Sequence, residues 1–225
     1  SCGQSRRILK PNQTKENKMK EVDPTQVTNY YRTLDDLQTF WIYCIIVAGK
    51  PADWASRVVT NFLGKRGKMT PFEYIETMGH GLHNTLVANR VGQYTRIEAA
   101  LTQSIKLDLD SCSLDNLTSI HGVGPKTARF FLLHSRKDVE VAVLDTHVLK
   151  WLKQWFGVKV PKATPSGDRY LELERVALCF MRSEFPSMSI ADADLLIWSM
   201  MSDRLSHDEV FDMTYPFESR EGVDE

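Results

Sequence analysis

The stretch that decides the fold runs over residues 117–151 and reads LTSIHGVGPKTARFFLLHSRKDVEVAVLDTHVLKW. In its first part a short helix ends, and Gly122 and Gly124 stand on either side of one apolar residue. Glycine adopts positive φ values and allows a close backbone approach, which suits a tight turn. Pro125 follows, and proline favours the first helical position because its missing N–H would have no partner there. The pattern predicts a helical hairpin over residues 117–134.

The start of the second hairpin helix is suited to binding an anion. The first N–H groups of a helix have no partner within the helix and carry a partial positive charge. They therefore bind a phosphate without reading the base sequence. An ordinary tight turn between helices is the alternative interpretation of the glycine turn alone.

Two reactive side chains accompany the hairpin. Lys126 falls in the first turn of the second helix, and Asp145 follows nineteen residues later. The helix N-terminus and partial burial disfavour positive charge, which favours the neutral amine, a nucleophile that forms Schiff bases. A nearby carboxylate accepts protons and stabilises positive charge on a reacting sugar. The pair is typical of covalent catalysis by an amine.

The segment resembles the helix–hairpin–helix and Gly/Pro–Asp (HhH-GPD) motif of the endonuclease III superfamily of DNA glycosylases. The matching residues are Leu117, Ile120, Gly122, Val123, Gly124, Lys126, Thr127 and Ala128, followed by Asp145, Thr146 and His147. Residues 47–53 more weakly resemble the family loop that fills the gap left by a flipped base. The resemblance spans residues 34–200 and implies an all-α, two-lobed helical HhH-GPD fold.

The resemblance also implies a reaction. Lys126 takes the position of the nucleophile of the bifunctional members, and Asp145 that of the catalytic aspartate. The implied enzyme flips a damaged or modified base out of double-stranded DNA and excises it through a lysine Schiff base. It then nicks the strand by β-elimination, as a bifunctional DNA N-glycosylase and AP lyase.

Further residues are assigned by the same resemblance, except that Arg129 is chosen as a helix cation and His147 for its place beside Asp145. The hairpin at Gly122, Val123, Gly124 and Thr127 is expected to clamp a phosphate, and the carbonyl groups of Ile120 and Val123 to hold a monovalent cation. Lys50 and Arg129 are expected to contact DNA, with plain solvated cations as the alternative. The residues expected to border the base pocket are Asp192, Asp194, Trp198 and His147. The alternatives are that Asp192 is an acidic residue at a helix start, that Trp198 belongs to the core, and that His147 has a structural role.

Composition excludes several classes of protein. Of the 225 residues, 42% are hydrophobic and 25% are charged, which is close to the globular average and excludes a largely disordered chain. The net charge of −1 neither favours nor excludes nucleic acid. Charge is unevenly distributed, however, because residues 203–225 hold eight acidic and two basic residues, whereas residues 50–96 hold seven basic and three acidic ones. Local basic patches can therefore bind phosphate.

The four cysteines, Cys2, Cys44, Cys112 and Cys179, include no closely spaced metal-binding pair. Many endonuclease III relatives carry a C-terminal four-cysteine iron–sulfur cluster, and no cysteine follows Cys179, so we expect no cluster here. The implied chemistry requires no cofactor. The longest apolar run, residues 40–48, is shorter than the roughly 20 residues of a membrane span. We expect an intracellular monomer, in the cytoplasm and nucleoid or in a eukaryotic nucleus, that acts on DNA and not on membranes.

Hydrophobic periodicity predicts nine to eleven short helices. Residues 89–107 read as one long helix, residues 79–84 as a loop, and residues 139–144 as the most strand-like run. The predicted organisation is a flexible basic arm over 1–23, a glycosylase domain over 24–202 and an acidic tail over 203–225. Two other functions stay open at this level: a base-modifying enzyme on the same scaffold, and a DNA-binding module without catalysis.

Overall fold

The computed structural model describes residues 22–202, and within that range every regular element is helical, which confirms the predicted all-α class. Most of the predicted arm and the predicted acidic tail lie outside the described residues. Val22 is buried and its carbonyl group accepts a hydrogen bond from Ser56, so the folded part includes the end of the predicted arm. The helices are α1 (Leu34–Val47), α2 (Ala52–Leu63), α3 (Pro71–Met78), α4 (Leu82–Ala88), α5 (Tyr94–Ser104), α6 (Leu114–Thr118), α7 (Pro125–Ser135), α8 (Thr146–Phe156), α9 (Gly167–Glu184) and α10 (Ile190–Met201).

Side-chain caps explain where several helices begin. Thr70 and Glu73 form a reciprocal capping box at the start of α3, and Ser113 and Asn116 form another at α6. Each box satisfies helix N–H groups that would otherwise lack a partner. Such caps are visible in the sequence as a hydroxyl residue followed three positions later by a polar side chain.

Two predicted boundaries were wrong. The predicted loop over 79–84 is helical, because a 3₁₀ turn over Gly79–Gly81 leads directly into α4. The predicted long helix over 89–107 begins only at Tyr94, because Arg90, Gly92 and Gln93 all have positive φ. A right-handed helix cannot pass through three residues in the left-handed region.

Buried side chains form two apolar groups that meet at α7. The first draws its members from Val22 to Leu132, and the second from Leu133 to Ile197. The partly buried ring of Phe130 packs against both. Helix α7 also contacts α1, α6 and α10. The second hairpin helix is therefore held from both sides, which makes it a rigid support for the residues at its start.

None of the helices in residues 22–202 combines the length and the apolar character that a membrane span requires.

Candidate active site

A cavity of about 810 Å³ is lined by residues of both apolar groups. Tyr43 comes from the first group, Val143 comes from the second, and Phe130 belongs to the boundary. The predicted site residues that line this cavity are Lys50, Lys126, Asp145, His147, Asp194 and Trp198. The fold therefore brings together residues that are up to 148 positions apart in the chain.

Lys126 is the second residue of α7, and its side chain is half-buried at the cavity wall. Its amine makes no hydrogen bond or ion pair with any residue in the described range 22–202. Its charge acts on Cys44 and on Asp194. Burial raises the pKa of the Cys44 thiol, so Cys44 is a neutral neighbour. The amine is thus available to a ligand in the cavity.

Asp145 is the N-cap of α8. Its Oδ1 atom accepts hydrogen bonds from the backbone N–H groups of His147 and Val148, both at 2.8 Å. Its Oδ2 atom accepts no hydrogen bond from the described residues. The cap therefore fixes the orientation of the carboxylate, while the second oxygen stays available to a group that enters the cavity.

The segment before Asp145, predicted as the most strand-like run, is extended but pairs with side chains instead of a second strand. Glu174 Oε1 accepts the N–H of Ala142 at 3.1 Å. The hydroxyl of Tyr170 donates to the carbonyl oxygen of Ala142 at 2.9 Å and accepts the N–H of Leu144 at 3.1 Å. Helix α9 thus holds the segment that delivers Asp145 to the cavity.

Arg129, predicted to contact DNA, is buried, and this corrects that prediction. Its Nε and Nη2 atoms donate to the two carboxylate oxygens of Glu174 at 2.7 and 2.8 Å. Its guanidinium carbon lies 4.3 Å from the centre of the Tyr170 ring. The side chains of Arg129 and Glu174 are only 5% and 10% exposed, so this arginine stabilises the fold instead of facing a phosphate.

We expect Glu174→Gln to lower the free energy of unfolding by about 3–5 kcal/mol, because it leaves the charge of Arg129 buried without its anion. Glu172→Gln is the matched control on the same helix. Its partner Arg169 and Glu172 are both more than half exposed, so a loss of at most about 1 kcal/mol is expected. Urea unfolding of the two variants measures the difference, and equal losses would contradict the structural role of the Arg129–Glu174 pair.

Three of the four residues predicted to border the base pocket line the cavity, and one does not. Asp194 is buried at the cavity wall, and the rings of His147 and Trp198 lie edge to face with centres 6.4 Å apart. Asp192 is exposed, is not among the cavity residues, and accepts a hydrogen bond from the Ser189 hydroxyl at 2.7 Å. Asp192 belongs to the cap of α10, which corrects its assignment to the base pocket.

The hairpin turn is held by a residue that sequence reasoning missed. Arg96 donates to the carbonyl oxygen of Gly122 at 2.8 Å and to that of Ile45 at 3.0 Å, which ties the turn to α1. Gly122 has φ +83°, and a Cβ there would clash with the Arg96 side chain and stand 3.3 Å from its carbonyl oxygen. Only glycine satisfies both constraints. Arg96 lies 26 residues from the turn, and no local signal links the two.

The start of α7 has no side-chain cap, because its N-cap residue is Gly124. Its first N–H groups therefore stay available to an anion. Thr127 is only 7% exposed, and its contact with a phosphate stays a prediction. The carbonyl oxygen of Ile120 accepts the N–H of Val123 at 3.0 Å, and a monovalent cation on the Ile120 and Val123 oxygens stays a prediction.

Lys50 lies in the loop between α1 and α2. Its ammonium nitrogen is 5.4 Å from the centre of the Trp54 ring, which is within the range of a cation–π contact. Lys50 is among the residues that line the cavity. A role for Lys50 at DNA stays a prediction.

Comparison with solved structures identifies the fold as the helical HhH-GPD glycosylase fold. One similar structure is the 8-oxoguanine glycosylase/lyase of Methanocaldococcus jannaschii in complex with DNA containing 8-oxoguanine. It is 21% identical, with a TM-score of 0.59 over 77% of this chain and 84% of that chain. Another is the 8-oxoguanine DNA glycosylase of Thermotoga maritima, 24% identical, with a TM-score of 0.56 over 74% of this chain and 79% of that chain. No protein-family model matches the chain.

Proposed function

We propose that the chain is a DNA glycosylase with AP lyase activity. The observation that carries the proposal is that one cavity is lined by the amine of Lys126, which has no partner within residues 22–202, and by the capped carboxylate of Asp145. The two similar structures, whose names describe 8-oxoguanine glycosylases, support this class of reaction and make 8-oxoguanine the first substrate to test. An intracellular place of action follows from DNA as the partner.

In the proposed reaction the ammonium group of Lys126 first loses a proton to water, and the resulting amine attacks C1′ of the flipped nucleotide. The bond from C1′ to the base breaks, and the departing base takes up a proton. Asp145 Oδ2 stabilises the positive charge that develops on the sugar. The C1′–O4′ bond of the sugar then breaks, O4′ takes up a proton, and C1′ forms a Schiff base with Lys126. A proton leaves C2′ to water, and the bond from C3′ to the 3′ phosphate breaks by β-elimination. Hydrolysis of the Schiff base returns the amine. These steps use only side chains of this chain and water.

The proposed contacts with DNA involve the start of α7 and the loop between α1 and α2. The uncapped start of α7 at Gly124 would hold a phosphate through backbone N–H groups, without reading base sequence. Lys50, which lines the cavity, would stand where the flipped base leaves the stack. Such contacts position the duplex, while the cavity selects the base.

Borohydride trapping tests the proposal directly, because the reagent reduces a Schiff base to a stable amine. The panel contains duplexes with 8-oxoguanine, thymine glycol, 5-hydroxymethyluracil, uracil, an abasic site or only normal bases. We expect a covalent complex with the abasic duplex and with at least one damaged base, and none with the undamaged duplex. Absence of a complex with every duplex would contradict the proposal and favour a base-modifying enzyme or a binding module.

A further inference from the structure

The end of α10 delivers the chain to the wall of the cavity. The helix ends at Met201, and the next residue, Ser202, lines the cavity together with Trp198. The N–H and the hydroxyl of Ser202 both donate to the carbonyl oxygen of Trp198, at 3.0 and 2.6 Å. Lys150 on α8 donates to the carbonyl oxygen of Met201 at 3.1 Å, which holds this helix end in place. Residues 203–225 therefore start at the cavity.

The predicted acidic tail over 203–225 contains a segment that is both acidic and aromatic. Residues 208–217 read DEVFDMTYPF and combine three carboxylates with three aromatic rings, without a lysine or an arginine. Aromatic side chains gain free energy when they leave water, and carboxylates gain from a nearby cation. Such a segment fits a surface that is apolar and positively charged at the same time.

The cavity offers apolar walls, and its two carboxylates are partly offset by their surroundings. Asp145 is held by the first N–H groups of α8, which carry a partial positive charge. Asp194 Oδ2 lies 3.2 Å from Nε2 of His134, while its Oδ1 atom has no hydrogen-bond partner within the described part of the chain. Burial raises the pKa of Asp194 because it removes the carboxylate from water, and this favours the neutral form. The apolar wall includes Tyr43, Phe130 and Trp198.

Positive groups from three parts of the fold meet at the same cavity. The Lys126 amine lacks a hydrogen-bond or ion-pair partner among residues 22–202, and the uncapped start of α7 adds a partial positive charge. Lys50 lines the cavity and lies against the turn between α4 and α5, where a Cβ on Gly92 would stand 2.9 Å from Nζ. Arg90 in this turn is exposed. The groups that the proposed function assigns to DNA phosphates are thus equally suited to carboxylates.

The length of the intervening chain permits the contact. Only residues 203–207 separate Ser202 from the segment 208–217, and six residue steps span at most about 20 Å. The tether makes docking intramolecular, with an effective concentration on the order of 1 mM. A contact with an intrinsic dissociation constant of about 0.5 mM would then be formed about two-thirds of the time.

We propose that residues 208–217 dock into the cavity of the same chain when DNA is absent, with carboxylates at Lys50 and Lys126 and an aromatic ring against the apolar wall. The segment then competes with DNA for the same positive groups, and a duplex must displace it. This inference rests on the proposed function and deepens it, because it names how access to the site is regulated.

The first test measures the affinity of the full chain for a duplex with an uncleavable abasic analogue, in about 0.1 M salt, where the Debye length is about 10 Å. The test variant combines Asp208→Asn, Glu209→Gln and Asp212→Asn, which remove the charges and nearly keep the side-chain sizes. We expect it to bind at least about threefold more tightly than the wild-type chain, because docking for two-thirds of the time leaves a third of the molecules open.

The matched control combines Glu218→Gln, Glu221→Gln and Asp224→Asn. It removes the same charge from the same tail, outside the proposed docking segment, and its affinity should change by less than about 1.5-fold. Equal gains in the two variants would overturn the inference, because the tail would then act only through its net charge.

The second test locates the segment in the full chain without DNA. Phe211→benzoylphenylalanine introduces a photo-cross-linking ring, and mass spectrometry identifies the residues that it reaches. We expect cross-links to the cavity wall, such as Val143 or Trp198, and their loss when the duplex with the abasic analogue is added. Cross-links confined to surfaces outside the cavity would overturn the inference. A yield that rises with protein concentration would place the segment on a second copy of the chain and would also overturn it.

The two proposals fail in different ways. A chain that traps the abasic duplex but shows neither the gain in affinity nor the cross-links to the cavity overturns the inference alone. A chain that neither binds nor traps any duplex overturns both.

Discussion

Lys126→Ala is expected to abolish borohydride trapping and to lower AP lyase turnover on the order of 10³-fold or more, because the variant lacks the proposed nucleophile. Lys126→Arg keeps the positive charge at the start of α7 but supplies no nucleophilic amine, so it should fail equally. Trapping and single-turnover cleavage of an abasic duplex measure both effects.

Lys153→Ala is the matched control for Lys126→Ala. It removes the same charge from an exposed position on α8 that does not line the cavity, and it should trap as the wild-type protein does. Binding of Lys126→Ala to a duplex with an uncleavable abasic analogue should weaken by less than about tenfold, since at most one phosphate contact is lost. Trapping that persists in Lys126→Ala would assign the Schiff base to another amine and refute this mechanism.

Asp145→Asn is expected to slow excision by about 10²–10³-fold while the folded state keeps its stability. The electrostatic stabilisation of a developing charge by a fixed group is worth about this factor in rate. Asparagine caps a helix about as well as aspartate, so the bonds to the N–H groups of His147 and Val148 survive. Single-turnover excision and urea unfolding of the same preparation separate the two roles.

Asp145→Ala provides the comparison, because it removes both the charge and the cap. It should lose a similar factor in rate and, in addition, about 1 kcal/mol of unfolding free energy. If Asp145→Asn excised the base at the wild-type rate, Asp145 would be only a helix cap, and the carboxylate would have no part in the chemistry.

The parts predicted correctly from the sequence are those with local causes. The all-α class follows from helical periodicity, and the hairpin is recognisable because Gly122, Gly124 and Pro125 have narrow conformational preferences. The joint position of Lys126 and Asp145 on the cavity agrees with their spacing in the motif. The boundary at residues 89–107 was wrong because single positive-φ residues such as Arg90 leave little trace in hydrophobic periodicity. The loop predicted over 79–84 was wrong because Gly79 and Gly81, which favour turns, belong to a 3₁₀ turn that leads into α4.

The misplaced site residues have a common physical cause, which is that burial and partners are properties of the whole fold. Arg129 reads as an exposed helix cation until Glu174, 45 residues away, is packed against it. Asp192 and Asp194 are two residues apart on α10. The rotation of the helix exposes the first and buries the second beside His134. Ser189, three positions before Asp192, is a local sign of the helix cap, but no local pattern shows that Asp194 is buried.

By itself, the sequence determined the helical class and the hairpin, because turn chemistry and side-chain type act over a few neighbouring positions. It also predicted Lys126 and Asp145 as a reactive pair. Only the tertiary structure decided which of the polar residues face the cavity, that α9 supports the segment before Asp145, and that Asp194 keeps one oxygen without a partner. Hydrogen bonds between elements far apart in the chain form only when the apolar groups pack, and that packing sets their geometry.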